Sequence, residues 1–138
     1  MIRQYLRRSG ARPLASALLL TGLLTSGFAT SGQVGVVGET GYQQNCSACH
    51  MANGEGIPGA FPPLAESGFV AGDTREVLRV IAYGRAGMPA FGSELSQELL
   101  ADIVIYIREH FNAIPTHLTA EDVQAVKVSS TARMARED

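Results

Sequence analysis

The sequence predicts a small all-α domain, because three segments combine helical spacing of apolar residues with residues that start helices. A first helix is predicted from Glu39 into the segment Cys46–His50, a second begins after Asp73, and a third spans 96–111. Asp73 and Ser96 are residue types that cap helix N-termini. The 138 residues, with 46% hydrophobic and 17% charged, are ordinary for one globular domain.

The second and third helices are also predicted from their interiors and ends. Val77, Leu78 and Ile81 form one apolar face of the second helix, and Gly84 is expected to end it. In the third, the β-branched run 103–107 could pass for a strand. Apolar residues nevertheless continue at spacings of three and four along the whole segment, which predicts a helix.

The start of the chain differs in composition from the rest. Residues 1–32 hold four arginines and no acid, whereas residues 33–138 hold seven basic and thirteen acidic residues, a net charge of −6. The apolar run Leu14–Leu24 follows the arginines and is itself followed by small residues, which is typical of an export signal. The run is too short to span a bilayer comfortably. An uncleaved anchor is the alternative.

A short C-terminal helix is predicted to open at the capping box Thr119–Asp122 and to run through Val126. The glycine-rich stretch before the first helix indicates a flexible lead. The chain is therefore expected to contain an export signal (1–31), a flexible lead (32–37), a domain (38–127, with its core at 38–111) and a flexible tail (128–138).

The pentapeptide Cys46-Ser47-Ala48-Cys49-His50 carries the chemistry. Two cysteines three residues apart on a helical turn share one face, with about 5–6 Å between their Cβ atoms. This separation suits thioether bonds to the two vinyl groups of one porphyrin. His50 lies about 100° further round the helix, where its imidazole can reach the iron. The pattern predicts one covalently bound haem per chain.

Three other uses of the cysteine pair fit the sequence less well. A structural zinc site needs four ligands, and Cys46, Cys49, His50, His110 and His117 include no second closely spaced pair. A thioredoxin-like redox pair needs a βαβ pattern, which the sequence lacks. A disulfide would leave the adjoining histidine unexplained.

Two further residues are predicted to complete the iron site, one by orienting His50 and one as a ligand. Pro62, in a proline pair, keeps its carbonyl, and that carbonyl is the candidate acceptor for the Nδ1 proton of His50. Met88 lies in a loop bounded by Gly84 and Gly92, and Pro89 forces it away from helical angles. Methionine is a known axial partner of histidine at haem, so Met88 is the candidate sixth ligand.

The other methionines are poorer candidates. Met1 lies in the predicted signal, Met51 directly follows His50, and Met134 lies in the predicted tail.

Taken in order and spacing, Cys46–His50, Pro62–Leu64, Gly87–Pro89 and Tyr106–Ile107 resemble the class I monohaem cytochromes c over residues 38–111. The resemblance implies helices wrapped around one covalently bound haem c. It also implies that the first and last long helices cross, and the crossing residues would be Gly38, Tyr42, Ile103 and Tyr106. Tyr42, Leu64 and Phe91 are the residues expected in the haem pocket. The ending Leu118–Lys127 resembles small cytochromes that serve as haem subunits of bacterial periplasmic oxidoreductases.

The resemblance implies one-electron transfer. A sixth iron position filled by Met88 would leave no place for a substrate, which disfavours catalysis. The expected function is a carrier in the periplasm of a Gram-negative bacterium, serving a periplasmic dehydrogenase or a terminal reductase or oxidase. Its partners would be redox proteins, not nucleic acid, with membrane contact only if the signal is retained. A peroxidase-like haem enzyme and a redox or gas sensor are the alternatives. Lys127 is the only lysine, which departs from the lysine-rich surface of many family members.

Overall fold

The computed structural model describes residues 31–137, and this part of the chain contains helices but no strand, which confirms the all-α prediction. The six helices are α1 (Ser31–Asn45), α2 (Ser47–His50), α3 (Gly68–Ala71), α4 (Thr74–Tyr83), α5 (Gln97–Asn112) and α6 (Ala120–Glu137). The predicted export signal lies outside the described residues except for its last position. No helix in the described range has the length and apolar character needed to cross a membrane.

The predicted helix caps are present. The side chain of Asp73 accepts a hydrogen bond from the backbone N–H of Arg75 (2.8 Å), and Ser96 accepts one from Leu99 (3.2 Å). Gly84 follows α4 with φ of 74°, a value that costs glycine little. At the start of α6 the two predicted partners bond reciprocally, because Asp122 accepts from the N–H of Thr119 (2.9 Å) and donates its own N–H to the Thr119 hydroxyl (3.3 Å).

Two boundaries differ from the sequence prediction. Helix α1 begins at Ser31, so residues 32–37, expected as a flexible lead, are helical. Helix α6 continues to Glu137, so it includes nearly all of the expected flexible tail. The stretch after Val126 contains neither glycine nor proline, so nothing local stops the helix once its capping box has started it.

Helices α1 and α5 cross at very close range. A Cβ atom on Gly38 would meet the backbone carbonyl of Asp102, and one on Gly41 would lie 2.8 Å from the Ile103 side chain. Beside the glycines, Tyr42 and Ile103 are completely buried. The rings of Tyr42 and Tyr106 pack with centroids 5.6 Å apart. The missing glycine side chains thus bring two helical backbones together, as the resemblance implied.

Replacing Gly38 by alanine tests this crossing. Gly38→Ala is expected to lower the free energy of unfolding by about 1–3 kcal/mol, the usual cost of overpacking. The new Cβ would meet the Asp102 carbonyl and lie 2.9 Å from Cβ of Tyr106, and neither atom is the mobile end of a side chain. Chemical denaturation of the haem-loaded protein measures the change.

Gly35→Ala is the matched control on the same helix, because nothing lies within 4 Å of the added Cβ. It is expected to keep or slightly raise stability, by at most about 1 kcal/mol. Equal stabilities for the two variants would contradict a close crossing at Gly38.

The core has two parts, and α5 contributes to both. One cluster joins α4, α5 and α6, and Met88 and Phe91 pack against it. The other joins α1, α3 and α5, and Cys46 and Leu64 pack against it. The segments that carry the predicted iron ligands are therefore supported by different halves of the core.

Arg108 of α5 is buried between these helices and the loop that follows. It is 7% exposed, and its guanidinium donates to the carbonyl oxygens of Val70 and Gly72 and to the hydroxyl of Thr116. These acceptors satisfy donors that would be costly to bury alone. Arg108 thus ties the short helix α3 to α5.

Candidate haem-binding site

The cysteine segment follows α1 after a one-residue break at Cys46. The N–H of Cys46 donates to the carbonyl of Tyr42 (2.8 Å), and the N–H of His50 donates to the carbonyl of Cys46 (3.0 Å). Cys46 and Cys49 are partly buried and are not joined in a disulfide. Both thiols and the imidazole are thus presented by one short helical stretch.

Tyr42 of α1 contacts the end of the cysteine segment. Its hydroxyl donates to the carbonyl oxygen of Met51 (2.6 Å), just where α2 ends and Met51 takes φ of 64°. Its ring packs edge-on against Phe111. Tyr42 thus lies in the α1–α5 interface. Its place in the haem pocket stays a prediction.

The loop after α2 folds back on itself and brings a proline carbonyl to His50. Ile57 and Phe61 exchange two backbone hydrogen bonds of 2.8 Å, and the N–H of Leu64 donates to Gly54 (2.7 Å). In this arrangement Nδ1 of His50 lies 2.9 Å from the carbonyl oxygen of Pro62. A carbonyl can only accept, so Nδ1 carries the proton and Nε2 keeps its lone pair for a metal.

Met88 lies in a short turn after α4, and backbone hydrogen bonds join the following residues to the end of that helix. The N–H of Met88 donates to the carbonyl of Arg85 (3.0 Å), closing the turn. Beyond it, the N–H groups of Phe91 and Gly92 each donate to a carbonyl near the end of α4 at 3.0 Å. The loop therefore has a defined path, and Met88 is partly buried against the α4–α5–α6 cluster.

Two adjoining cavities, of about 100 and 240 Å³, lie between these segments. The residues that border both are Cys46, His50, Pro62, Val80, Arg85 and Met88. Leu64 borders only the smaller cavity, whereas Cys49 and Phe91 border only the larger. More open grooves lie elsewhere on the surface, one of about 740 Å³ beside α6, but none of these carries a cysteine or a methionine in the described lining.

The donor set and the walls fit haem c. Two thiols on one turn, an imidazole with a free Nε2 and a thioether border one largely apolar space, which is what covalent attachment and axial ligation require. Among the residues whose side chains the structure describes, no group of three or more His, Cys, Asp or Glu is arranged to hold a metal ion.

Burial also affects the acid–base chemistry of the segment. Burial, together with a smaller effect of the neighbouring Cys49 thiol, raises the pKa of the Cys46 thiol to about 11. Burial likewise raises the pKa of the Tyr42 hydroxyl, with Cys46 and Tyr106 adding to the effect. Both groups are therefore neutral at physiological pH before haem is attached.

The sequence did not identify several residues that border the cavities. Val80 follows Val77 by three positions on α4, so the helical periodicity could have identified it. Phe69 and Val70 belong to the four-residue helix α3, which is too short to show a period. Arg85 lies in the turn that carries Met88, and no sequence motif marks it as a pocket residue.

Comparison with known proteins agrees with this geometry. A family model described as cytochrome c oxidase, cbb3-type, subunit III matches residues 36–107, more than half of the chain. The matched range contains the cysteine segment, both cavities and most of α5.

Individual relatives are cytochromes or cytochrome c subunits of oxidoreductases. The cytochrome c subunit of the quinone alcohol dehydrogenase of Gluconobacter oxydans is 30% identical, over 91% of this chain and 29% of its own length. The cbb3-type cytochrome c oxidase subunit CcoP of Azospirillum brasilense is 32% identical, over 51% of this chain and 26% of its own. Cytochrome c-552 of Thermus thermophilus is 48% identical, over 30% of this chain and 35% of its own.

The chain spans only about a quarter to a third of the length of these relatives. The family match over residues 36–107 nevertheless includes the cysteine segment and the residues at which α1 and α5 cross. The chain therefore belongs to the cytochrome c oxidase cbb3-type subunit III family, as an electron-transfer c-type cytochrome domain with covalently bound haem c.

Proposed function

We propose that the chain is a periplasmic one-electron carrier in which His50 and Met88 are the axial ligands of haem c. The observation that carries the proposal is that both side chains border the same two cavities, beside Cys46. They reach this space from segments supported by different halves of the core. This is the arrangement expected of two ligands that bind one metal from two sides.

The residues around the site have separable roles. Bound haem supplies an iron that cycles between ferrous and ferric states. Cys46 and Cys49 would attach the ring, and the Pro62 carbonyl would hold His50 in the correct tautomer and make it a stronger ligand. Met88 would complete the ligand set with a thioether, which favours a high reduction potential. The apolar walls would exclude water from the metal.

A metal with both axial positions filled transfers electrons but offers no place for a substrate. Electron transfer is therefore favoured over the peroxidase and sensor alternatives. The test is exposure of the purified, reduced protein to carbon monoxide, and of the oxidised protein to hydrogen peroxide with a chromogenic donor. We expect no rapid carbon monoxide complex and no peroxide turnover, with Met88→Ala as the positive control for an open position. Rapid binding by the wild-type protein would overturn the carrier proposal.

The partners are proposed to be redox proteins. Relatives of this chain are described as cytochrome subunits of alcohol and gluconate dehydrogenases and of a cbb3-type oxidase. By that likeness, a periplasmic dehydrogenase would donate electrons and a terminal oxidase or reductase would accept them. The chain would serve as a subunit or as a mobile partner of such an enzyme.

Docking is proposed to be mainly apolar. The rim of the larger cavity includes Ala86, Gly87 and Pro89, which are exposed and uncharged, and Ala48 is exposed nearby on α2. The net charge of −6 after residue 32 disfavours acidic partner surfaces.

Electron-transfer rates with the isolated partner should therefore depend only mildly on ionic strength. Salt at about 0.15 M screens charges over about 8 Å, which removes long-range steering but spares buried apolar contacts. Stopped-flow measurement of the rate across a salt series checks this. A steep fall in rate with added salt would instead indicate electrostatic docking to a strongly basic partner.

The periplasmic location is proposed from the sequence. Residues 1–31 would direct export, and residues 38–127 would form the mature haem domain. Attachment of haem outside the cytoplasm would also protect two thiols from oxidation. Cell fractionation, followed by N-terminal sequencing of the haem-containing protein, tests both points. Recovery from the cytoplasm would contradict the proposal.

A further inference from the structure

Arg85 is the only lysine or arginine among the described residues that border the two cavities. It is exposed, and its guanidinium carbon lies 4.5 Å from the centroid of the Phe69 ring. Phe69 also borders the smaller cavity. A cation above an aromatic face is attracted by the ring quadrupole, so Phe69 holds the guanidinium beside that cavity.

The backbone restricts Arg85 as well. It directly follows Gly84, which has φ of 74°, and precedes Ala86, which has φ of 54°. Its carbonyl accepts the hydrogen bond from the N–H of Met88 that closes the turn. Any group that binds the Arg85 side chain would therefore also fix the turn that carries Met88.

Arg85 has no carboxylate partner in the described part of the chain, where the ion pair found is Arg79 with Glu76. Its five donors are thus available to an anion. A planar guanidinium binds carboxylates well, because two N–H groups can bond the two oxygens in parallel.

The cavities indicate which carboxylate this would be. Cys49 borders the larger cavity only, and the smaller one extends from Cys46 to Phe69 and Val70 of α3. A haem carries its two propionates on the edge away from its vinyl groups. A ring attached at Cys46 and Cys49 would therefore turn its propionates toward the end where Phe69 holds Arg85.

We propose that Arg85 binds a haem propionate, with Phe69 as the residue that positions its guanidinium. The inference rests on the haem position proposed above. Arg85 would neutralise a negative charge beside the iron and so stabilise the ferrous state. Loss of the arginine should therefore lower the reduction potential. Arg85 would also fasten the Met88 turn to the haem.

The test compares the haem-loaded variants Arg85→Gln and Arg85→Lys with Arg75→Gln, which removes an exposed arginine from the opposite end of α4. The decisive readout is the propionate bending band in the resonance Raman spectrum, whose frequency rises with hydrogen bonding to the carboxylate. We expect a shift to lower frequency in Arg85→Gln, a smaller shift in Arg85→Lys, and none in Arg75→Gln. The reduction potential should fall most in Arg85→Gln, less in Arg85→Lys, and not at all in Arg75→Gln.

An Arg85→Gln band at the wild-type frequency would overturn the inference, whatever happens to the potential. The wild-type spectrum separates this failure from that of the proposed function. If the wild-type protein shows methionine ligation and reversible reduction but the band does not move, only the role of Arg85 is wrong. If methionine ligation is absent, the axial assignment fails, and the band still decides whether Arg85 binds a propionate.

Discussion

Replacing both cysteines, as Cys46→Ala with Cys49→Ala, is expected to abolish covalent haem attachment and leave a chain that does not fold stably. These side chains are the proposed attachment points, and Cys46 packs against the α1–α3–α5 cluster. Without the haem, the walls of the larger cavity, about 240 Å³, would have to collapse or meet water. At about 24 cal/mol per Å³ for an uncollapsed cavity, the loss is about 6 kcal/mol, comparable with the whole stability of a domain of this size.

Haem staining after denaturing electrophoresis measures attachment, and circular dichroism of the same samples measures the loss of helix. Ala48→Ser is the matched control, because it changes an exposed residue between the two cysteines and leaves both thiols in place. We expect full staining for the control and none for the double variant. An unstained wild-type band would contradict covalent attachment at this segment.

The positions of the long helices could be predicted because their signals are local. Caps at Asp73, Ser96 and Thr119 depend on side-chain oxygens within three residues of the N–H groups they bond. The start of α1 could not be predicted in the same way. Its glycines predict a loop locally, and they are helical because Gly38 lets the backbone of α1 approach Asp102 of α5. That gain depends on a residue far along the chain.

The site was predictable where the chemistry depends on spacing. Cys46, Cys49 and His50 are identified by their order alone, and the choice of Met88 followed from the poor positions of the other methionines. Phe69 and Arg85 were not predictable, because their proximity depends on how α3 folds against the methionine turn. The hydrogen bond from the Tyr42 hydroxyl to the Met51 carbonyl was not predictable either, because it depends on how the chain turns after α2.

Met88→Ala is expected to keep the haem attached but to open the sixth position of the iron. Cys46 packs against the other half of the core from Met88, so the substitution should leave the cysteine segment in place. Loss of the thioether should abolish the weak red absorption band that methionine gives to ferric haem. It should also lower the reduction potential, by a fraction of the roughly 0.8 V span that axial ligands set, and allow external ligands such as imidazole to bind.

Met51→Ala is the matched control, because it removes a second methionine that is exposed and adjacent to His50. Its carbonyl, which accepts the Tyr42 hydrogen bond, belongs to the backbone and survives the substitution. Optical spectra, imidazole titration and spectroelectrochemistry of both variants separate the two methionines, and only Met88→Ala should differ from the wild-type protein. If Met88→Ala kept the wild-type spectrum and potential, a residue such as His110 would have to be the sixth ligand. His110 is exposed on α5 and stacks on Tyr106, with 4.8 Å between the ring centroids. This position disfavours His110 as the sixth ligand.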